Sequence, residues 1–134
     1  MKFLKPLLFI STIILLSFTT KDNSTQQWVL IGEKRVSFLI DHDVIQVTGK
    51  DNCSQLKVKV KDGPVHIIDM DVYFENGDKF DVALKQKIPK GGESRVIDLP
   101  GGSRNVRKIE FWYETKGFRK GRGTVQVWGQ GSGR

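Results

Sequence analysis

Side-chain polarity in this chain alternates with a period of two. Leu56, Val58 and Val60 are interleaved with Lys57, Lys59 and Lys61, and Ile109, Phe111 and Tyr113 with Lys108, Glu110, Trp112 and Glu114. Successive side chains of a strand point to opposite faces, so such runs suit strands that bury one face and wet the other. The runs are short. Turn-forming clusters cut them at Thr48-Gly49-Lys50-Asp51-Asn52, Glu75-Asn76-Gly77-Asp78 and Asp98-Leu99-Pro100-Gly101-Gly102-Ser103-Arg104. No segment sustains a helical period. The pattern predicts an all-β domain, an antiparallel β-sandwich with a small barrel as the alternative.

The first residues do not belong to that domain. Lys2 and Lys5 lead into an almost wholly apolar stretch, Pro6 to Phe18, and polar sequence begins at Lys21. That is the layout of a secretory signal. The apolar stretch is about thirteen residues, whereas a helix crossing a bilayer needs about 20. The expected organisation is a signal segment over 1–20, a lead-in over 21–27, a β-domain over 28–129 and a tail over 130–134. The expected location is secreted or periplasmic. Ser17 and Thr19 do not form the preferred Ala-x-Ala, so an uncleaved anchor is the competing outcome and the one membrane contact foreseen.

The formal net charge is +7, and +5 once Lys2 and Lys5 leave with the signal. A charge of that size suits solubility in a small domain. It also suits attraction to an anionic polymer. Cys53 is the only cysteine, so no intrachain disulfide forms and stability must come from packing. With no histidine near it in sequence, it reads as a buried or inert thiol and not as a nucleophile.

Trp28 to Ile31 reads as a first strand closed by Gly32, with a second strand through Val36, Phe38 and Ile40 that Asp41-His42-Asp43 breaks. The lysine face of 56–61 reads as a solvated or edge strand, because repeated lysine guards edges against pairing. Val65 to Phe74 and Lys79 to Ile88 form a hairpin whose register can be argued. A three-residue loop, Glu75 to Gly77, pairs Val72 with Phe80, Met70 with Val82 and Ile68 with Leu84 on one apolar face. It predicts a type I turn with a G1 bulge and a left-handed Gly77. The same register places His66 inward and sets Asp71 directly opposite Asp81.

Several segments carry a resemblance: Asp41-His42-Asp43-Val44-Ile45, Tyr73-Phe74-Glu75-Asn76-Gly77, Val96 to Arg104, Ile109 to Tyr113 and Val125 to Gly129. On these the chain resembles the YaaI-like family of small, uncharacterised secreted bacterial domains. The resemblance implies export and a sandwich-like fold. It implies no activity, so it carries no catalytic residues over.

Three constellations could carry chemistry. Asp41 and Asp43 with Arg104 and Arg107 read as a structural ion pair bridging two loops. The competing readings there are a zinc site through His42, which lacks a third ligand in the sequence, and an enzyme site built from Asp41, His42 and Asp43. Asp69, Asp71 and Asp81 form an acidic outward face. Its plain reading is compensation by Lys79, and its sharper one a divalent-cation site, with calcium the candidate and His42 as an added ligand. Trp112 lies on the polar face of its strand, ahead of a basic loop with Lys116, Arg119, Lys120 and Arg122. An exposed aromatic beside cations can stack on sugars. There is no nucleophile elbow, phosphate loop or metal-ligand spacing. The leading expectation is therefore a non-catalytic binding or envelope-associated module without a cofactor. Its partner would be a protein or an anionic envelope polymer, not a specific nucleic acid. The alternative is a calcium- or zinc-dependent domain or enzyme.

Overall fold

A computed structural model describes residues 27–37, 41–47, 52–114 and 122–131. Ten strands run through them: β1 (Trp28–Ser37), β2 (His42–Gln46), β3 (Asn52–Cys53), β4 (Gln55–Lys61), β5 (Val65–Phe74), β6 (Lys79–Val82), β7 (Gln86–Ile88), β8 (Ile97–Asp98), β9 (Arg104–Glu114) and β10 (Arg122–Gln130). All pairings are antiparallel. One sheet has the order β1-β10-β4-β8. The other has the order β2-β9-β5-β6, with β3 also on β9 and β7 also on β5. The sheets do not close into a barrel, so the sandwich form of the expectation holds.

The core is the buried parity of both sheets. Leu56, Val58, Val60, Val125 and Val127 come from one, and Ile45, Ile67, Met70, Val72, Ile109, Phe111 and Tyr113 from the other. Burying each of the larger of these side chains contributes about 1.5–3 kcal/mol relative to leaving it exposed. Glycine marks where the layers come closest. A Cβ at Gly32 would collide with Ile45 of the facing sheet, and one at Gly129 with the sulfur of Cys53. Cys53 is buried, against the glycine that makes room for it.

The hairpin register is as the turn chemistry predicts. Val72 pairs with Phe80, Met70 with Val82 and Asp71 with Asp81. Gly77 has φ +94° and its N–H donates to the Phe74 carbonyl, while the Phe74 N–H donates to the Asp78 carbonyl. Beyond Val82 the register differs from expectation. Leu84 does not pair with Ile68. Its N–H turns back to Val82, and Lys85, at φ +43°, bonds the Ile68 carbonyl instead.

Three bulges account for most departures from simple alternation. Ile68 is an extra residue in β5, since Ile67 opposes Tyr113 and Asp69 opposes Trp112. An inserted residue flips the parity that follows it. Val65 and Ile67 are buried before the bulge, and Met70, Val72 and Phe74 after it. His66 therefore points outward and not inward as expected. Ile31 is the extra residue in β1, between Leu30 and Gly32. Gly32 thus does not close a strand. It lies within one continuous β1 and serves the close approach to Ile45. Arg107 is the third, skipped between the Tyr73–Lys108 and Phe74–Val106 pairs.

β4 is not an open edge. Beyond its short pairing with β8, the 89–94 segment covers it: Gly91 donates to the Val60 carbonyl, Val60 to Gly92 and Ser94 to Val58. The signal segment, Phe38 to Ile40, and the basic positions Lys116, Arg119 and Lys120 lie outside the described residues.

Candidate functional site

Two constellations that are separate in sequence meet on the outer face of the larger sheet. β9 is central there. It sets Glu110 between Val44 and Asp71, and Trp112 between His42 and Asp69. β6 extends the first of these rows, because Asp81 faces Asp71 across the hairpin. The strands thereby place Glu110, Asp71 and Asp81 side by side, one row from Trp112 and Asp69. A cavity of about 390 Å³ opens here, lined by Asp69, Asp71, Asp81, Val82 and Trp112.

Trp112 is half-buried. Its ring stacks on that of His42, with centroids 4.9 Å apart and planes at 30°. Among the described residues its indole N–H has no hydrogen-bond partner, whereas that of Trp128 donates to Gln126 at 3.2 Å. Beside it, two carboxylates on adjacent strands are driven in opposite directions. Glu110 is held below the usual carboxylate range, chiefly by the His42 Nε2 hydrogen bond at 2.8 Å and then by the Tyr73 hydroxyl at 3.2 Å. Asp71 is raised to about 6. Burial is the largest cause, followed by its hydrogen bond and charge repulsion with Asp81. Lys79 opposes the rise and Glu110 adds to it. Lys79 reaches Asp81 at 3.7 Å, across two exposed side chains. An exposed pair of that kind contributes roughly 0.2–1 kcal/mol and does not neutralise three aspartates.

The remaining candidate residues fall elsewhere. Asp43 is seven positions along β9 from Arg104, because it pairs with Phe111. At about 3.3 Å per residue that separation excludes contact. The expected ion pair between Asp41, Asp43 and Arg104, Arg107 therefore does not form. The Asp43 carboxylate accepts the Tyr113 hydroxyl at 3.0 Å, and the Asp41 carbonyl accepts the Tyr113 N–H. Arg107 is exposed, and its carbonyl bonds Val47.

Arg104 clamps the hairpin instead. It meets Asp78 at 2.8 Å, lies 4.0 Å over the Phe74 ring and donates to the Pro100 carbonyl at 3.2 Å. Gly101 and Gly102, at φ +84° and +77°, turn the chain so that Arg104 can do this. The Asp98–Arg104 motif is accounted for by that clamp. Asn76 and Arg104 together hold Asp78 below the usual carboxylate range.

His42 and Asp43 occupy opposite parities of β2, so Asp41, His42 and Asp43 do not converge into one site. Among the described residues no group of three or more His, Cys, Asp or Glu is arranged to hold a metal ion, the Asp69, Asp71, Asp81 and His42 set included. Arg122 opens β10, in the other sheet from Trp112.

The sequence reading missed a second aromatic surface. On the outer face of the smaller sheet, Lys57 lies 4.4 Å over the ring of Trp28, and Lys59 lies 4.3 Å over that of Trp128. The lysine alternation was visible. The pairing of β10 with both β1 and β4, which brings the tryptophans to it, was not.

With this geometry in view, the family is decided by a model that matches residues 7–129. The chain belongs to DUF2541, a domain family of unknown function. No curated protein matches it. Among solved structures it is similar to AlgX of Pseudomonas aeruginosa, with a TM-score of 0.51 and 16% identity over 82% of this chain. The likeness is one of fold, and it spans 28% of AlgX.

Proposed function

We propose that this domain is a non-catalytic binding module, exported by its N-terminal segment, that holds a hydroxyl-rich polysaccharide on the Trp112 shelf. The observation carrying this reading is a half-buried indole whose N–H has no partner among the described residues, forming one wall of an open cavity whose other polar walls are aspartates. A flat ring suits the apolar face of a sugar. Carboxylates are strong acceptors for the hydroxyls around its edge. Lining by Asp69, Asp71 and Asp81 favours a neutral or amine-bearing chain at this place over an anionic one. The absence of catalysis is part of the proposal, and the divergence of His42 from Asp43 supports it.

Affinity electrophoresis through gels containing hydroxyethylcellulose or chitosan tests the reading. The wild-type domain is expected to be retarded by at least one of them, and Trp112→Ala to run as in a plain gel. Equal retardation of the variant, or no retardation of the wild type by either polymer, contradicts it.

A further inference from the structure

The outer face of the smaller sheet has a different character. The register sets Leu30, Trp128 and Lys57 in one row, Glu33, Gln126 and Lys59 in the next, and Arg35, Thr124 and Lys61 in the third. Trp28 lies on the same face, opposite Gln130. Trp28 and Trp128 are thus diagonal neighbours on adjacent strands, about 7–8 Å apart at their Cα atoms. Both are half-buried, so part of each ring meets solvent.

The cations on this face differ in what holds them. Lys57 is fixed between Trp28 and Glu93, the latter at 3.4 Å, with its side chain only 12% exposed. Lys61 reaches Glu33 at 3.9 Å. Among the described residues Lys59 and Arg35 have no carboxylate partner. Lys59 stands opposite Glu93, whose carboxylate is taken by Lys57, and its ammonium lies over Trp128, while Arg35 is exposed. A lysine held on an indole keeps its charge while losing conformational freedom.

We propose that this face is a second binding surface, for a carboxylate- or sulfate-bearing polysaccharide. Trp28 and Trp128 stack against its sugar rings, and Lys59 and Arg35 meet its charges. Lys57 is a positioning residue that fixes the Trp28 ring. Charge complementarity selects an anionic chain. Shape selects a linear one: three strands about 4.8 Å apart and about nine residues long make a strip of roughly 15 by 30 Å, about 450 Å², well under the ~800 Å² per partner of a stable protein interface. The surface is distinct from the Trp112 shelf and does not depend on it.

The experiment titrates the full domain with polygalacturonate, dextran sulfate, uncharged dextran and poly-glutamate, at low and at physiological ionic strength. The proteins are wild type, Trp28→Ala/Trp128→Ala, Lys59→Glu, Arg119→Glu/Lys120→Glu and Trp112→Ala. At least one of the two anionic polysaccharides is expected to bind the wild type, more weakly as salt rises. Uncharged dextran and poly-glutamate each lack one half of the recognition and bind at least tenfold more weakly. The tryptophan pair variant and Lys59→Glu each lose roughly tenfold or more, while the loop and Trp112 variants keep wild-type affinity. Thermal melts verify folding, and Lys59→Glu alone carries the test if the tryptophan pair variant does not fold. The proposal is overturned if neither anionic polysaccharide binds, if Lys59→Glu binds as wild type does, if poly-glutamate binds as tightly, or if the loop variant loses the binding.

Discussion

The two outer faces of the sandwich follow the same rule of alternation and resolve their charges differently. On the smaller sheet, lysines are held in place: each of Lys57 and Lys59 lies on an indole, and Glu93 and Glu33 meet Lys57 and Lys61. On the larger sheet, Asp71 is set against Asp81 on one side and Glu110 on the other, with Lys79 at 3.7 Å from Asp81 as the partial counterweight. Like charges directly opposed across strands are destabilising. The larger sheet gives up stability where it opposes like charges, the pattern expected where a surface is kept for a ligand, whereas the smaller sheet presents Lys59 and Arg35 without such a conflict. Burial first, and the opposed carboxylates after it, raise Asp71 to about 6.

The comparison can be broken most readily by deleting the aromatic on each face. Trp128→Ala removes a ring packed beneath Lys59 and against Gln126, and is expected to cost about 2 kcal/mol in urea unfolding. Trp112→Ala removes a ring that stacks on His42 at the wall of an open cavity, and is expected to cost about 1 kcal/mol. Equal losses would show that the two faces are built alike.

A second test concerns pH. Asp71 has a folded-state pKa above its unfolded value, so the folded protein binds that proton more tightly. Its contribution to stability is complete at acidic pH and is lost as pH rises through about 6. Asp71→Asn should therefore raise stability at pH 7.5 by about 1 kcal/mol, after discounting for solvent screening, and change it little at pH 4. Glu110 has the opposite sign. Held down by His42, it contributes stability above its unfolded pKa and loses it as pH falls. Glu110→Gln should thus destabilise at neutral pH while Asp71→Asn stabilises, although the two residues are cross-strand neighbours. Parallel pH–stability curves for the two variants would refute this assignment.

The smallest effects separate the two kinds of lysine. Lys59→Gln loses a cation held on a ring, expected at roughly 0.5–1 kcal/mol. Lys79→Gln loses a weak exposed ion pair, expected at about 0.2–0.5 kcal/mol and erased by salt. Unfolding of both variants at low and high ionic strength measures the difference.

Much of this fold was legible in the chain because it is local. Ile109, Phe111 and Tyr113 are buried as their alternation implies, and Gly77 forces the hairpin loop that sets Asp71 against Asp81. The opposed aspartates, the most informative feature of the candidate site, followed from turn chemistry alone. What was not legible depends on single inserted residues or on distant pairing. Nothing in the composition of β5 marks Ile68 as the bulge that turns His66 outward. Asp43 and Arg104 are plausible partners by charge, yet β2 docks at one end of β9 and Arg104 stands at the other. The Trp28 and Trp128 ladder requires β10 to lie between β1 and β4, a long-range choice that no short window encodes.

The central claim is that the larger sheet tolerates opposed carboxylates because they serve a ligand beside Trp112. Asp71→Asn tests it directly when thermal stability and retardation in the polysaccharide gel are measured on the same protein at pH 7.5. The account predicts a higher melting temperature together with weakened retardation. A more stable protein that is retarded as strongly as wild type would contradict it.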